Sequence, residues 1–159
     1  MRIATKSSKI DISLKKNTEF ISKKFSNYIT KGDIILFFGE IGVGKTTFIK
    51  YLINSLQNKS KQNLTEIPSP TFNIVNEYKI DEMIINHYDL FKIKDPKELY
   101  NIGLFENTSE VVTLVEWPEI ILNKPKKIIE LHFSYEDDFK KRKLEIFTNY
   151  REEIINEFK

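Results

Sequence analysis

The chain contains no cysteine, which excludes disulfides and thiolate-held metals. It has only two histidines, so a zinc site of the histidine type would need carboxylates to complete it. The arginines are Arg2, Arg142 and Arg151, and none lies between residues 3 and 141. No run of about 18 apolar residues occurs, and the beginning lacks the pattern of a secretory leader. A cytoplasmic protein is therefore the default expectation. With 25 basic against 23 acidic residues, the net charge of +2 does not make a strongly basic nucleic-acid surface. Repeats, low-complexity tracts and dividing linkers are absent, so 159 residues imply a single domain covering 1–159.

Glycine is scarce, with five in the chain, yet three of them stand together at Gly39, Gly42 and Gly44. Residues 39–46 read Gly-Glu-Ile-Gly-Val-Gly-Lys-Thr, which is G-x-x-x-x-G-K-[ST], the phosphate-binding loop. Glycines open backbone conformations in which successive N–H groups turn onto phosphate oxygens. Lys45 supplies a point charge for the β- and γ-phosphates, and Thr46 a hydroxyl for Mg²⁺. The context is right on both sides. Asp33 is followed by the apolar run Ile34-Ile35-Leu36-Phe37-Phe38, which suits a strand buried on both faces of a parallel sheet. After the loop, Phe48, Ile49, Leu52, Ile53 and Leu56 fall at helical spacing over about 45–57. The backbone of Glu40, Ile41, Gly42, Val43, Gly44, Lys45, Thr46 and Thr47 is the expected phosphate cradle.

Around this centre the pattern predicts an alternating strand over 9–14 and a helix capped by Asn17 or Thr18 that runs to about Tyr28, with Phe20, Ile21 and Phe25 inward. Ile67-Pro68-Ser69-Pro70 cannot lie inside a helix. Strands are predicted over 72–80 and 83–88, joined by a turn at Asp81-Glu82. Asp95-Pro96 with Glu98 reads as a capping box opening a short helix. Further strands are predicted over 111–115, 128–135 and 144–148, and a helix over 150–158. The fold class that results is α/β.

A phosphate cradle needs partners before it can hydrolyse anything. Mg²⁺ takes hard oxygen ligands, and the loop threonine commonly shares it with a carboxylate at the end of a neighbouring apolar strand. Glu116 ends the run Val111–Val115, and Asp89 follows Ile84–Tyr88. Thr71, behind the stiff Ser69-Pro70 pair, can act as a switch hydroxyl toward the γ-phosphate or its metal. Trp117, the only tryptophan, adjoins Glu116 and is either core or a wall of the nucleotide site. His87 alone reads as a structural histidine rather than a base.

These motifs, in this order, resemble the TsaE (YjeE) family of small bacterial P-loop ATPases. The resemblance rests on Gly39–Thr47 with Phe48, Ser69-Pro70-Thr71-Phe72, His87-Tyr88-Asp89-Leu90-Phe91-Lys92, Glu98-Leu99 with Gly103, and Val115-Glu116-Trp117-Pro118-Glu119. It spans roughly residues 9–135 and implies a three-layer, P-loop NTPase-like fold whose parallel central sheet is extended by antiparallel strands, which suits the hairpin read over 72–88. One departure is Phe91-Lys92, where the family pattern has arginine after Asp-Leu-Tyr; lysine keeps the charge but loses the planar fork. The resemblance implies ATP and Mg²⁺ as ligands, with a TsaB–TsaD heterodimer as partner, bound on its TsaD side. It implies a role in forming N6-threonylcarbamoyladenosine next to the tRNA anticodon, with tRNA reached only through that complex. ATP hydrolysis would reset the complex rather than make the modification. Carried across, Lys45 and the loop hold phosphates, Thr46 and Glu116 hold Mg²⁺, Asp89 is a further catalytic carboxylate, Thr71 the switch residue, and Trp117 lies near the nucleotide. The same pattern suggests 15–18 for the adenine side. The alternatives are a small P-loop kinase or a nucleotide-binding adaptor that does not hydrolyse. Kinases clamp the transferring phosphoryl with several arginines, and the arginine-free stretch from 3 to 141 argues against one. It also implies slow turnover in isolation.

Overall fold

Ile34–Phe38 (β3) is apolar at every position because both of its faces are covered. Ile35 and Phe37 enter one core and Ile34 and Leu36 the other. In the computed structural model, which describes residues 5–159, β3 lies centrally in a sheet of eight strands. The others are β1 (Thr5–Lys6), β2 (Ile10–Asp11), β4 (Val75–Ile80), β5 (Met83–Asp89), β6 (Val112–Glu116), β7 (Ile129–Glu136) and β8 (Lys141–Thr148). Their order is β1-β8-β7-β3-β6-β5-β4, with β2 also on β8. Strand β3 runs parallel to β6 and β7, and β5 parallel to β6. Strand β4 pairs antiparallel to β5, and β8 antiparallel to β7, β1 and β2. The parallel centre with antiparallel flanks is the architecture that the family resemblance implies.

One face is covered by α1 (Lys15–Ser26), α2 (Lys45–Lys59) and α4 (Glu152–Glu157). Phe25, Phe48 and Phe158 meet there, with Phe25 edge-on to Phe48 at 5.7 Å between centroids. The other face is covered mainly by the segments 90–110 and 117–121 on either side of β6, the first including the four-residue helix α3 (Glu98–Asn101); Leu90, Ile93 and Ile121 are buried there, with Leu99 and Phe105 packed against them. Strand β3 starts at a buried ionic cluster. Asp33 accepts hydrogen bonds from Arg151 Nη1 at 2.6 Å, Tyr150 Oη at 2.9 Å and the Thr30 N–H at 2.9 Å. Burial, then the adjacent Asp33 carboxylate, pushes the Tyr150 hydroxyl well above the ordinary tyrosine range.

Several local expectations are corrected. Neither Asn17 nor Thr18 caps α1: the helix starts at Lys15 after an uncapped Leu14, and the buried Thr18 hydroxyl donates to the Ile12 carbonyl. Phe20 is 60% exposed rather than inward, because at about 100° per residue it lies about 140° around the helix from Phe25. The strand expected over 9–14 shortens to Ile10–Asp11, since the Asp11 carboxylate accepts from the Ser13 N–H and turns the chain. The strand expected from Phe72 begins only at Val75, leaving Phe72 exposed. No capping box forms at Asp95; its carboxylate accepts from the Lys97 N–H, and the helix begins at Glu98.

Candidate active site

Parallel pairing brings three strand ends to one rim. Register places Glu116 opposite Phe37 of β3 and opposite Asp89 of β5. The glycine loop leaves β3 two residues after Phe37, so both carboxylates stand beside it, where ligands gather in open α/β sheets. Gly39 has φ +146°, and a Cβ there would stand 2.8 Å from the Phe133 carbonyl oxygen and 2.9 Å from a Val43 methyl. No side chain fits. Gly44, with φ +117°, precedes the first residue of α2, so the loop delivers its N–H groups to the positive end of that helix.

Together these elements line a cleft of about 340 Å³. Of the expected cradle residues, Ile41, Gly42, Gly44, Lys45, Thr46 and Thr47 face it. Val43 is buried and packs into the core, and Glu40 is exposed outside the cleft, so these two contribute loop backbone only. Thr71, Asp89, Glu116 and Trp117 all reach the cleft.

Lys45 is 4% exposed and forms no ion pair among the described residues; its ammonium donates to the Gly39 carbonyl and lies 3.4 Å from the centroid of the Trp117 ring. Burial lowers its pKa below the ordinary lysine value, while Glu116, Glu119 and Asp89 at longer range oppose that shift. A buried cation met by a carbonyl and a π-face is suited to an anion. Trp117 reaches it from a left-handed backbone, φ 58°, a conformation costly for a bulky residue. Phe91 packs on the same indole at 5.0 Å. Lys92, which departs from the family pattern, lies 3.9 Å over the exposed Phe72 ring.

The carboxylates are held differently. Glu116 is 2% exposed; its Oε1 accepts from Thr46 Oγ1 at 2.7 Å, and its Oε2 pairs with His87 Nε2 at 2.7 Å. His87 is fully buried, and its Nδ1 has no partner. An unpaired N–H at Nδ1 would be costly, so the ring proton belongs on Nε2, donating to Glu116. Asp89 Oδ2 accepts from Ser69 Oγ at 2.6 Å and Thr71 Oγ1 at 3.1 Å, and Oδ1 accepts from the Phe91 N–H at 2.9 Å. The Ser-Pro-Thr segment is thus tied to the end of β5 through two hydroxyls. Two more residues join these carboxylates than the sequence pattern places there. His87 reads as structural in the sequence because its partner lies 29 positions away, and Ser69 reads only as part of the turn. The alternation of β5 held the one available signal: His87 and Asp89, two apart, share a face.

The family model described as "Threonylcarbamoyl adenosine biosynthesis protein TsaE" matches residues 12–144. The chain belongs to the TsaE family. Its TsaE relatives include a Rickettsia bellii protein, 38% identical over 125 residues, which are 78% of this chain and 84% of the relative. A Haemophilus influenzae protein is 31% identical over 86% of this chain and 87% of its own. Both are named tRNA threonylcarbamoyladenosine biosynthesis protein TsaE. The crystal structure of Bacillus subtilis YdiB superposes with a TM-score of 0.74 at 22% identity, covering 99% of this chain and 97% of that one. That likeness shows the fold this TsaE chain adopts.

Proposed function

We propose that this TsaE protein acts in threonylcarbamoyladenosine modification of tRNA as the subunit that binds and hydrolyses ATP with Mg²⁺. It would work with a TsaB–TsaD heterodimer and reach tRNA only through that complex, in the cytoplasm. No helix among the described residues is long and apolar enough to cross a membrane. The observation that carries the reading is the convergence of Lys45, Thr46 and Glu116 on one cleft, with Asp89 on the neighbouring strand end.

The donors suit the ligand. No group of three or more His, Asp or Glu side chains that could hold a metal exists among the described residues. Mg²⁺ commonly takes one or two protein oxygens and completes its shell with substrate phosphates and water, and Thr46 Oγ1 and the Glu116 carboxylate offer those oxygens side by side. The bound ion would neutralise charge developing on the phosphates. The loop N–H groups and Lys45 would fix the phosphate chain. Trp117 and Phe91 would keep water from the lysine. Asp89 would orient the attacking water and accept its proton, while Thr71 and Ser69 hold that carboxylate in place and respond to the γ-phosphate. His87 would act as a positioning residue through Glu116. His87→Gln, which keeps a donor near Nε2, is expected to retain most of the ATP turnover, whereas His87→Leu loses about tenfold or more in kcat with a smaller change in KM. Equal losses in both variants would remove His87 from the mechanism.

The deciding experiment measures ATP hydrolysis and threonylcarbamoyladenosine formation with and without the two partner subunits. Turnover is expected to be slow alone and to rise in the assembly, and omitting this chain is expected to stop modification beyond the first rounds. Unchanged multi-turnover modification without it would defeat the assignment. The adaptor reading is separated by Glu116→Gln: if that variant complements fully while Lys45→Ala does not, binding suffices and hydrolysis is dispensable.

A further inference from the structure

Residues 68–73 form a strap that is anchored at both ends and pinned in the middle mainly to one carboxylate. Upstream, the buried Gln57 of α2 donates from Nε2 to Thr65 Oγ1 at 2.9 Å, Asn54 Nδ2 donates to the Thr65 carbonyl at 3.1 Å, and Ile67 is buried in the core. Downstream, the Asp89 N–H donates to the Ile74 carbonyl at 2.9 Å, and β4 starts at Val75. Between these anchors Pro70 is buried, whereas Asn73 is exposed and Phe72 is 86% exposed. The remaining hold is polar. The Ser69 and Thr71 hydroxyls lie 2.6 and 3.1 Å from Asp89 Oδ2, and the Phe91 N–H donates to Oδ1. The pinned position strains the backbone. Ile74 has φ 69°, a left-handed conformation that is an outlier for a β-branched residue. Its N–H donates to the Pro70 carbonyl at 2.6 Å, so the strained residue is the one that folds the strap back over β5. Strain of this kind persists only where the surroundings impose it, and it gathers at switch segments.

The contacts that pin the strap compete with the work proposed for the same groups. A hydroxyl has one proton to give. While Thr71 gives its proton to Asp89, it has none for a γ-phosphate oxygen. While Ser69 and Thr71 both donate to Oδ2, they fill the lone pairs that the proton of an attacking water needs. We infer that 68–73 is an autoinhibitory strap. In the resting chain Ser69 and Thr71 close over Asp89, and the site turns over when the strap lifts and frees that carboxylate. Lifting relieves Ile74 and carries no buried residue but Pro70 into water. This rests on the reading of the cleft as an ATP-hydrolysing site in which Asp89 takes the proton of the water. It gives the slow turnover expected of the isolated chain a structural cause. Partner subunits raise turnover to the extent that they bind the lifted strap better than the pinned one.

Ser69→Ala removes the shorter of the two hydroxyl contacts and is the test. Steady-state ATP hydrolysis by the isolated full chain, with Mg²⁺ present, is expected to rise about five- to tenfold. The factor by which the partner subunits raise it is expected to fall to match. Ser69→Cys, which keeps a weaker donor, is expected to lie between the two. Hydrogen exchange gives a readout separate from turnover. The Ile74 amide is expected to exchange about fivefold faster in Ser69→Ala, with the amides of β3 and β6 unchanged. Thermal melting checks that each variant folds. Turnover of Ser69→Ala at or below the wild-type rate, or unaltered exchange at Ile74, overturns the strap and leaves the assignment of the site standing. Hydrolysis by Asp89→Asn as fast as by wild type, or none by wild type with its partners, defeats the reading of the site itself.

Discussion

Lys45→Met is expected to lose the proposed ATP turnover by at least about a hundredfold while folding as stably as the wild type. The first half follows from the ammonium being the only side-chain cation lining the loop cleft among the described residues, so its removal would strip a charge-assisted contact from bound phosphates. The second half follows from how the charge is held. Lys45 is nearly buried, lacks a carboxylate partner among the described residues, and is pushed toward its neutral form by burial. Methionine keeps much of the packing against Trp117 and removes a poorly solvated cation. Thermal melting and steady-state hydrolysis on the same samples check both halves. A variant that melts far below wild type, or one that hydrolyses normally, contradicts the assignment of Lys45 as a ligand-directed charge. A group that costs stability and is required for activity marks a functional site rather than a structural one.

Arg151→Met is expected to do the reverse. Arg151 closes the C-terminal segment onto Asp33, whose side chain is 3% exposed, through Nη1 at 2.6 Å. Methionine leaves Asp33 buried with only Tyr150 and Thr30 as donors, and stranding one member of a buried pair costs about 3 kcal/mol or more. For a domain of this size that lowers Tm by roughly 6–12 °C. Asp33 stands at the beginning of β3, the opposite end from the phosphate loop, so ATP affinity of the folded variant should stay within about twofold of wild type. Asp33→Asn combined with Arg151→Met should recover part of the loss, because no unpaired charge is then buried. A melting point unchanged within about 2 °C would show that the pair contributes nothing.

Much of this molecule is legible locally. The apolar run before Gly39, the glycine spacing and the 3.6-residue period after Lys45 place a strand, loop and helix within a few residues of β3 and α2. Those signals work because each arises from neighbours in the chain: backbone sterics at glycine, and one face of a helix turned to the core. The errors have equally local causes. Thr18 looks like a cap because threonine caps many helices, but here its hydroxyl finds the Ile12 carbonyl first.

The sequence by itself determined the G-x-x-x-x-G-K-[ST] glycine loop between a strand and a helix, and which carboxylates, Asp89 and Glu116, end apolar strands. Only the tertiary structure decided what each one touches. Parallel pairing of β3, β5 and β6 sets Glu116 between Thr46 and His87, and Asp89 against Ser69 and Thr71. Pairing of β7 with both β3 and β8 brings Arg142 beside Gly44, although no arginine lies near that loop in sequence. Register between distant strands is chosen by burying the apolar faces of the whole sheet at once, and no window of neighbouring residues carries that information.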